Sequence, residues 1–355
     1  MNFEDFVIPP QSINVEPWQL GSLMVSEIEK GVVVLVFVSD NRGAGYHAES
    51  QNFFKFRKKL YKLSKGDLSL RIHDLGDLIS GTTLQDTHYI LQELLLYCHQ
   101  VGAIPVVIGG GIDFSYSMFS ALNAECKNIN YTHISNSISL LNDEGVISEK
   151  NYLSHILSTP DFGIGQFNFL GLQRHYVDPE SIKLLKHVDF EVVPLANMMN
   201  TTEKSEPYFR NADLVTLNCD AVETTIGNFS LHPQINGLNK REICAYMKEV
   251  GLSSNLKGVG VFNIYYDEDE VLNIQLLTQM LWYLLDGIGI QNSHPKERQK
   301  ESYIVALGDK KILFRRDVFS DLWYFVDEYT AKEIPCTRED FNLAKKGYLN
   351  QRFLK

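Results

Sequence analysis

The side chains able to do chemistry gather at the ends of apolar runs. The segment "NCDAVE" sets Asn218, Cys219, Asp220 and Glu223 directly behind "LVTL". "THISNSIS" sets His133 ahead of Ser135, Ser137 and Ser139, and "VVIGGGID" ends in Gly111, Ile112 and Asp113. Carboxylates and an imidazole brought together could exchange protons or hold a hard divalent cation. Cys219 could be a nucleophile, but strand alternation points it opposite to Asn218 and Asp220, into apolar surroundings where a thiol is inert. A triple glycine suggests a phosphate loop, yet neither GxGxxG nor GxxxxGK[ST] surrounds it. Ser115 lies outside any GxSxG elbow. The tip of the glycine turn, Ile112, can perform none of these reactions.

These positions fall where alternating strands and helices would deliver them. "GVVVLVFVSD" (31–40) is a β-branched run of the kind buried on both faces of a sheet. Strands are also expected at 70–77, 103–111, 129–135, 167–173, 190–195, 212–218 and 258–266. Helical spacing covers 53–63, a segment from Thr83 to a stop at Gly102, one beginning near Ser115, and 179–188, 239–251 and 271–287. Thr83 with Asp86 reads as a helix start, Asn239 as a cap, and Gly251 and Gly287 as stops. The acidic run at 267–270 suits a helix N-terminus, and Asp143 and Glu144 a solvated turn. This order predicts a three-layer, doubly wound, mainly parallel sheet. In such a sheet ligands bind outside the carboxyl ends of the strands. After the polar break at 292–302 the pattern changes to a hairpin over 303–316, an aromatic stretch and a polar tail. The expected organisation is an α/β domain over 1–291 with a β-hairpin/helix extension over 292–355 packed on it.

The formal net charge of −11 argues against nucleic acid, which needs a basic face. The short run Arg57, Lys58 and Lys59 reads as a solvated helix face. Five scattered cysteines without CxxC spacing read as reduced thiols, pointing to the cytoplasm. The segment "MNFEDFVIPPQS" lacks the pattern of a secretory leader, and no apolar run reaches the ~18 residues of a membrane helix, so no membrane insertion is expected.

The ordered landmarks "IHDLGD", "VVIGGG", "FLGLQRHYV", "GLNKRE", "YYDEDE" and "LLTQMLWYLLDG" resemble the ureohydrolases: arginases, agmatinases and, most closely, formimidoylglutamases. The resemblance runs from Val32 to Gly287. It implies an α/β fold built for a two-manganese centre that hydrolyses guanidino or formimino groups, and it implies homo-oligomers. Metal ligands in that family lie in "GGGH", "DAHxD" and "DxDxxD". Carried onto this chain, the first histidine becomes Ile112. The second set becomes Ser135, Ser137 and Ser139. The third becomes Asn218 and Asp220, with Glu223 as its last acid. Of those ligand positions, Asp220 alone keeps an identity that could bind a metal.

Two neighbouring cations need several anionic oxygens, and serine hydroxyls do not replace them. Without the cations a carboxylate cluster would repel itself, so small neutral residues are structurally sensible. The expected vestigial pocket is Gly111, Ile112, Ser135, Ser137, Ser139, Asn218, Asp220 and Glu223, with Asp113 and His133 as residues that could rescue chemistry. The reading that follows is a catalytically inactive, cofactor-free protein that serves as a protein-binding or structural module, with a protein partner or self-association expected. Alternatives are a hydrolase of linear amidines with a rebuilt site, manganese included, and a non-catalytic sensor of a small metabolite.

Overall fold

In the computed structural model, which describes residues 3–47, 53–138, 140, 145–187, 190–199, 201–224, 227–267 and 269–353, the apolar runs become the strands of one twisted sheet. Its strands are β1 (Val7–Ile8), β2 (Val33–Val38), β3 (Ile72–Leu78), β4 (Ile104–Ile108), β5 (Ile129–Ile134), β6 (Ile164–Leu172), β7 (Glu191–Pro194), β8 (Leu214–Asn218) and β9 (Gly258–Phe262), in the order β1-β3-β2-β4-β9-β8-β5-β6-β7. Every pairing is parallel except that of β1 with β3.

The sequence of β2 explains its central place. Val33, Leu35 and Phe37 enter one apolar core, and Val34, Val36 and Val38 enter the other. On the first side lie α1 (Phe54–Tyr61), α7 (Lys240–Gly251) and α8 (Val271–Ser293); on the second lie α2 (Leu84–Val101), α3 (Phe114–Glu125), α4 (Tyr152–Ser158) and α5 (Pro179–His187). The three expected layers are present.

Local chemistry fixes several helix ends. Thr83 and Asp86 form a reciprocal capping box, as do Asn239 and Glu242. Gly102 takes the left-handed conformation that ends α2. Gly287 departs from its expected role: α8 continues past it to Ser293. The glycine is there for a close helix crossing. A Cβ on Gly287 would meet the Lys248 carbonyl oxygen at 2.3 Å, and one on Gly251 would meet that of Leu284 at the same distance. Gly287→Ala should therefore force α7 and α8 apart and cost about 1–3 kcal/mol, read as a lower urea midpoint.

The solvated reading of Arg57 is also corrected. Arg57 is buried, lies over the Phe37 ring at 4.0 Å, and pairs with Asp74 at 2.8 Å and Asp77 at 2.7 Å. A guanidinium can be buried here because both carboxylates of "HDLGD" face it. Only the neighbouring lysines stay outside.

Beyond α8 the chain forms a larger unit than the expected hairpin and polar tail. β10 (Lys300–Leu307), β11 (Lys310–Asp317), β12 (Trp323–Val326) and β13 (Glu333–Cys336) make an antiparallel sheet, and α9 (Arg338–Lys345) closes its own aromatic core. Arg210, just past α6 (Glu206–Phe209), donates to the carbonyls of Trp323 and Cys336 and so ties this sheet to the main one. Among the described residues no helix is long and apolar enough to cross a membrane.

Candidate functional site

The carboxyl ends of β4, β5 and β8 meet around a cavity of about 340 Å³. It is lined by Ile112 after β4, Ser135 and Ser137 after β5, and Asn218 and Asp220 at the end of β8. Thus five of the expected pocket residues come together. Gly111 and Glu223 are outside that lining, and Ser139, Asp143 and Glu144 lie outside the described residues. Gly111 backs instead onto Asp113, since a Cβ on it would meet Asp113 Oδ1 at 2.1 Å. The Glu223 backbone N–H donates to the Leu238 carbonyl.

Asp220 is buried, and both its carboxylate oxygens are engaged by the protein. Oδ1 accepts from the His232 backbone N–H at 3.0 Å, and Oδ2 accepts from Asn263 Nδ2 at 2.8 Å. Burial pushes its pKa up, against the pull of the Asn263 bond. Asn218 orients the loop: its Oδ1 accepts from the Asp220 N–H, and its Nδ2 donates to Ser135 Oγ at 3.3 Å. Ser135 Oγ donates onward to the Ser137 carbonyl. The Ser135 hydroxyl thus bonds within its own loop and to Asn218.

Asn263, directly beyond β9, is the node of the site. Its Oδ1 accepts from the Ile112 N–H at 2.8 Å while its Nδ2 reaches Asp220. Its backbone N–H donates to Gly110, and its carbonyl accepts from Leu231. One amide thereby joins the exits of β4, β8 and β9. Its φ of 57° is in the left-handed region, which asparagine tolerates better than most residues.

The two rescue candidates are turned away. His133 is fully buried in an aromatic setting; its Nδ1 lies 2.7 Å from Thr216 Oγ1 and its Nε2 lies 2.9 Å from the Tyr152 hydroxyl. Burial lowers its pKa to about 3. Tyr152 stands between it and the cavity, which Tyr152 lines. Asp113 points behind the glycine turn, where its Oδ2 meets His88 Nε2 at 3.0 Å. Burial pushes its carboxyl pKa up, partly opposed by His88. Cys219 is buried in the core, and burial pushes its thiol well above the ordinary range, as its strand phase implied.

Two further ionisable residues reach the cavity. His232 presents Nε2 to Glu149 at 3.1 Å, and that bond, supported by the charge of Asp220, raises the imidazole pKa despite partial burial. Glu149 is held in place by its N–H, which donates to the Gly43 carbonyl. Neither residue lies in a recognisable motif; the only sequence signal is a histidine twelve residues after Asp220, in "LHPQ". Asn136, also in the lining, has a buried Oδ1 with no hydrogen-bond partner.

This donor set does not fit a two-metal centre. At the five cavity positions the only anionic ligand is Asp220, already bonded at both oxygens, and Ile112 offers no lone pair. Among the described residues no group of three or more His, Cys, Asp or Glu side chains could hold a metal ion.

Solved structures share the fold. Formiminoglutamase from Trypanosoma cruzi with Mn2+2 aligns at a TM-score of 0.68 and 18% identity, over 78% of this chain and 99% of that one. Formimidoylglutamase from Bacillus subtilis aligns at 0.65 and 14% identity, over 77% and 92%. Proclavaminate amidino hydrolase from Streptomyces clavuligerus aligns at 0.63 and 16% identity, over 80% and 98%. No protein-family model and no curated protein sequence matches the chain. The likeness is one of architecture.

Proposed function

We propose that this chain is a catalytically inactive member of the arginase superfamily, related to formimidoylglutamases, that works as a cytoplasmic protein-binding module without a metal cofactor. The observation that carries the reading is the chemistry of the strand exits: Ile112, Ser135, Ser137 and Asn218 supply no charge, and Asp220 is consumed by Asn263 and His232. Such a site has nothing with which to lower the pKa of water from about 15.7 toward 7. Five free cysteines accord with a reducing compartment.

Purification under anaerobic conditions with manganese, followed by metal analysis and assays for urea and formamide from arginine, agmatine and formiminoglutamate, tests the reading. The expected result is metal far below one ion per chain and no product. The melting temperature should be the same in EDTA and in manganese, whereas a metal at 100 times its Kd would add about 2.7 kcal/mol of stability. Stoichiometric manganese with turnover overturns the proposal.

One observation favours a second reading, a rebuilt hydrolase. His232 and Glu149 form a half-buried acid–base pair facing the same cavity as Asp220. If that pair works, the assays give product without metal, and Asp220→Ala or His232→Gln removes it.

A further inference from the structure

We propose that the free edge of β10 is a self-association surface. A second copy of this chain adds its own β10 there, antiparallel, and extends the four-stranded sheet across a two-fold axis. The strand register locates the edge. Lys300 lies opposite Asp317 and Leu307 opposite Lys310, with no bulge between them. One step beyond that ladder, the Val318 N–H donates to the Gln299 carbonyl. Bonded positions alternate in an antiparallel pair, so Glu301, Tyr303, Val305 and Leu307 turn their backbone groups toward β11. Ser302, Ile304 and Ala306 turn theirs outward. All three are exposed, Ile304 at 70%. Among the described residues no other segment makes a backbone hydrogen bond to them.

The other edge strands of the two sheets are closed to pairing. β1 has two residues and runs into Pro9 and Pro10. β7 has four and ends on Pro194. β13 has four and contains Pro335; the carbonyls of Pro335 and Cys336 already accept from Arg352 and Arg210. Short length, proline and covering side chains are the means by which sheets keep their edges from pairing. β10 uses none of them. It has eight residues, no proline and no bulge, and no charged side chain from Ser302 to Leu307. A long edge with an exposed isoleucine at its middle is a template for another strand.

The sequence of the edge selects a second copy as the occupant. A two-fold axis through Ile304 sets that residue against the partner's Ile304, and Ser302 against the partner's Ala306. Each such pair exchanges two backbone hydrogen bonds. Opposed residues of a bonded pair stand about 5.5 Å apart, so the two isoleucines cover each other while serine and alanine meet without a clash. No like charges face each other, since Lys300 falls opposite the partner's Gly308. The strand is complementary to itself. An axis through Tyr303 instead would leave each isoleucine facing a serine. The sheet lies beyond Gly287, outside the stretch that resembles the ureohydrolases, so the surface belongs to this chain's own extension.

The test is sedimentation velocity of the full chain from about 1 to about 200 µM, a range suited to a small interface of modest affinity. A monomer–dimer equilibrium is expected. Ile304→Lys sets like charges against each other and should weaken dimers by about tenfold or more, as should Ile304→Glu. An equimolar mixture of those two variants should form dimers again, because the changed side chains then oppose each other with opposite charge. Ser302→Pro removes an outward N–H that the β11 ladder does not use, and should also abolish association. Ile235→Lys, at a residue 92% exposed on the loop before α7, should leave it unchanged. All these changes fall at exposed positions, so the variants should melt as the parent does when dilute. A parent that stays monomeric throughout, dimers that persist in Ile304→Lys and Ser302→Pro, or a mixture that fails to restore them overturns the proposal. Metal content and turnover do not enter these readouts, so they leave the inactive-site reading to its own test.

Discussion

Asn263→Ala should destabilise the protein by about 4 kcal/mol, more than any other single change at the cavity. Truncation leaves the Ile112 N–H buried without an acceptor and strips one of the two donors from Asp220. Each unpaired buried group costs about 1–3 kcal/mol, and the charged one lies at the upper end. Alanine at a φ of 57° adds about 1 kcal/mol of backbone strain. Asn263→Gly should recover that last part alone, because glycine accepts the conformation but brings no amide. Urea denaturation of both variants separates the two contributions. A double-mutant cycle with Asp220→Ala should be clearly non-additive, since removing the carboxylate removes one of the groups that Asn263 satisfies. Additive losses would show that the amide does not act through Asp220. The role matters because the exits of β4, β8 and β9 need a cross-link, and in this chain an amide performs it.

Acidification should weaken the fold in a window set by His133. Its ring is neutral in the native state, with a pKa lowered to about 3 by burial, while in the unfolded chain it takes a proton near 6.5. A depressed native pKa means that this contribution to stability is complete above pH 6.5 and is lost as pH falls from 6.5 toward 3. By pH 5 the loss from this residue is about 2 kcal/mol. His99, lowered to about 4 by burial, adds a loss of the same sign. Comparison with His133→Gln isolates the effect, because glutamine can still meet the Tyr152 hydroxyl but cannot titrate. Unfolding free energies measured from pH 7.5 to 4.5 should fall less steeply in the variant. Equal slopes would mean that the imidazole is solvated or charged in the native protein, and would bring it back as a candidate for chemistry.

Both predictions concern residues whose importance the linear chain conveys unevenly. The sheet was legible because its signal is local: "VVLVFV" is apolar at every position, so it fits only a strand covered on both sides. The capping boxes at Thr83–Asp86 and Asn239–Glu242 were legible for the same reason, since three residues contain the whole motif. The strand exits bearing Ile112, Ser135, Ser137, Asn218 and Asp220 could be read from landmark order alone, because a parallel sheet sends all its strand ends to one edge.

Pairings between distant segments were decided only by tertiary structure. Glu149 meets His232 across 83 residues, and Asn263 meets Ile112 across 151. Arg57 looked solvated beside Lys58 and Lys59 until β3 brought Asp74 and Asp77 to it, and Gly287 looked like a helix stop until α7 crossed α8 at that point. The amino-acid sequence by itself determined which residues arrive at the sheet's edge and that they are mostly uncharged, since periodicity and side-chain type act over a few residues. Which of them touch, which carboxylate is already satisfied and which imidazole is sealed away depend on burial and hydrogen bonding between segments far apart in the chain, and these exist only once the chain has folded.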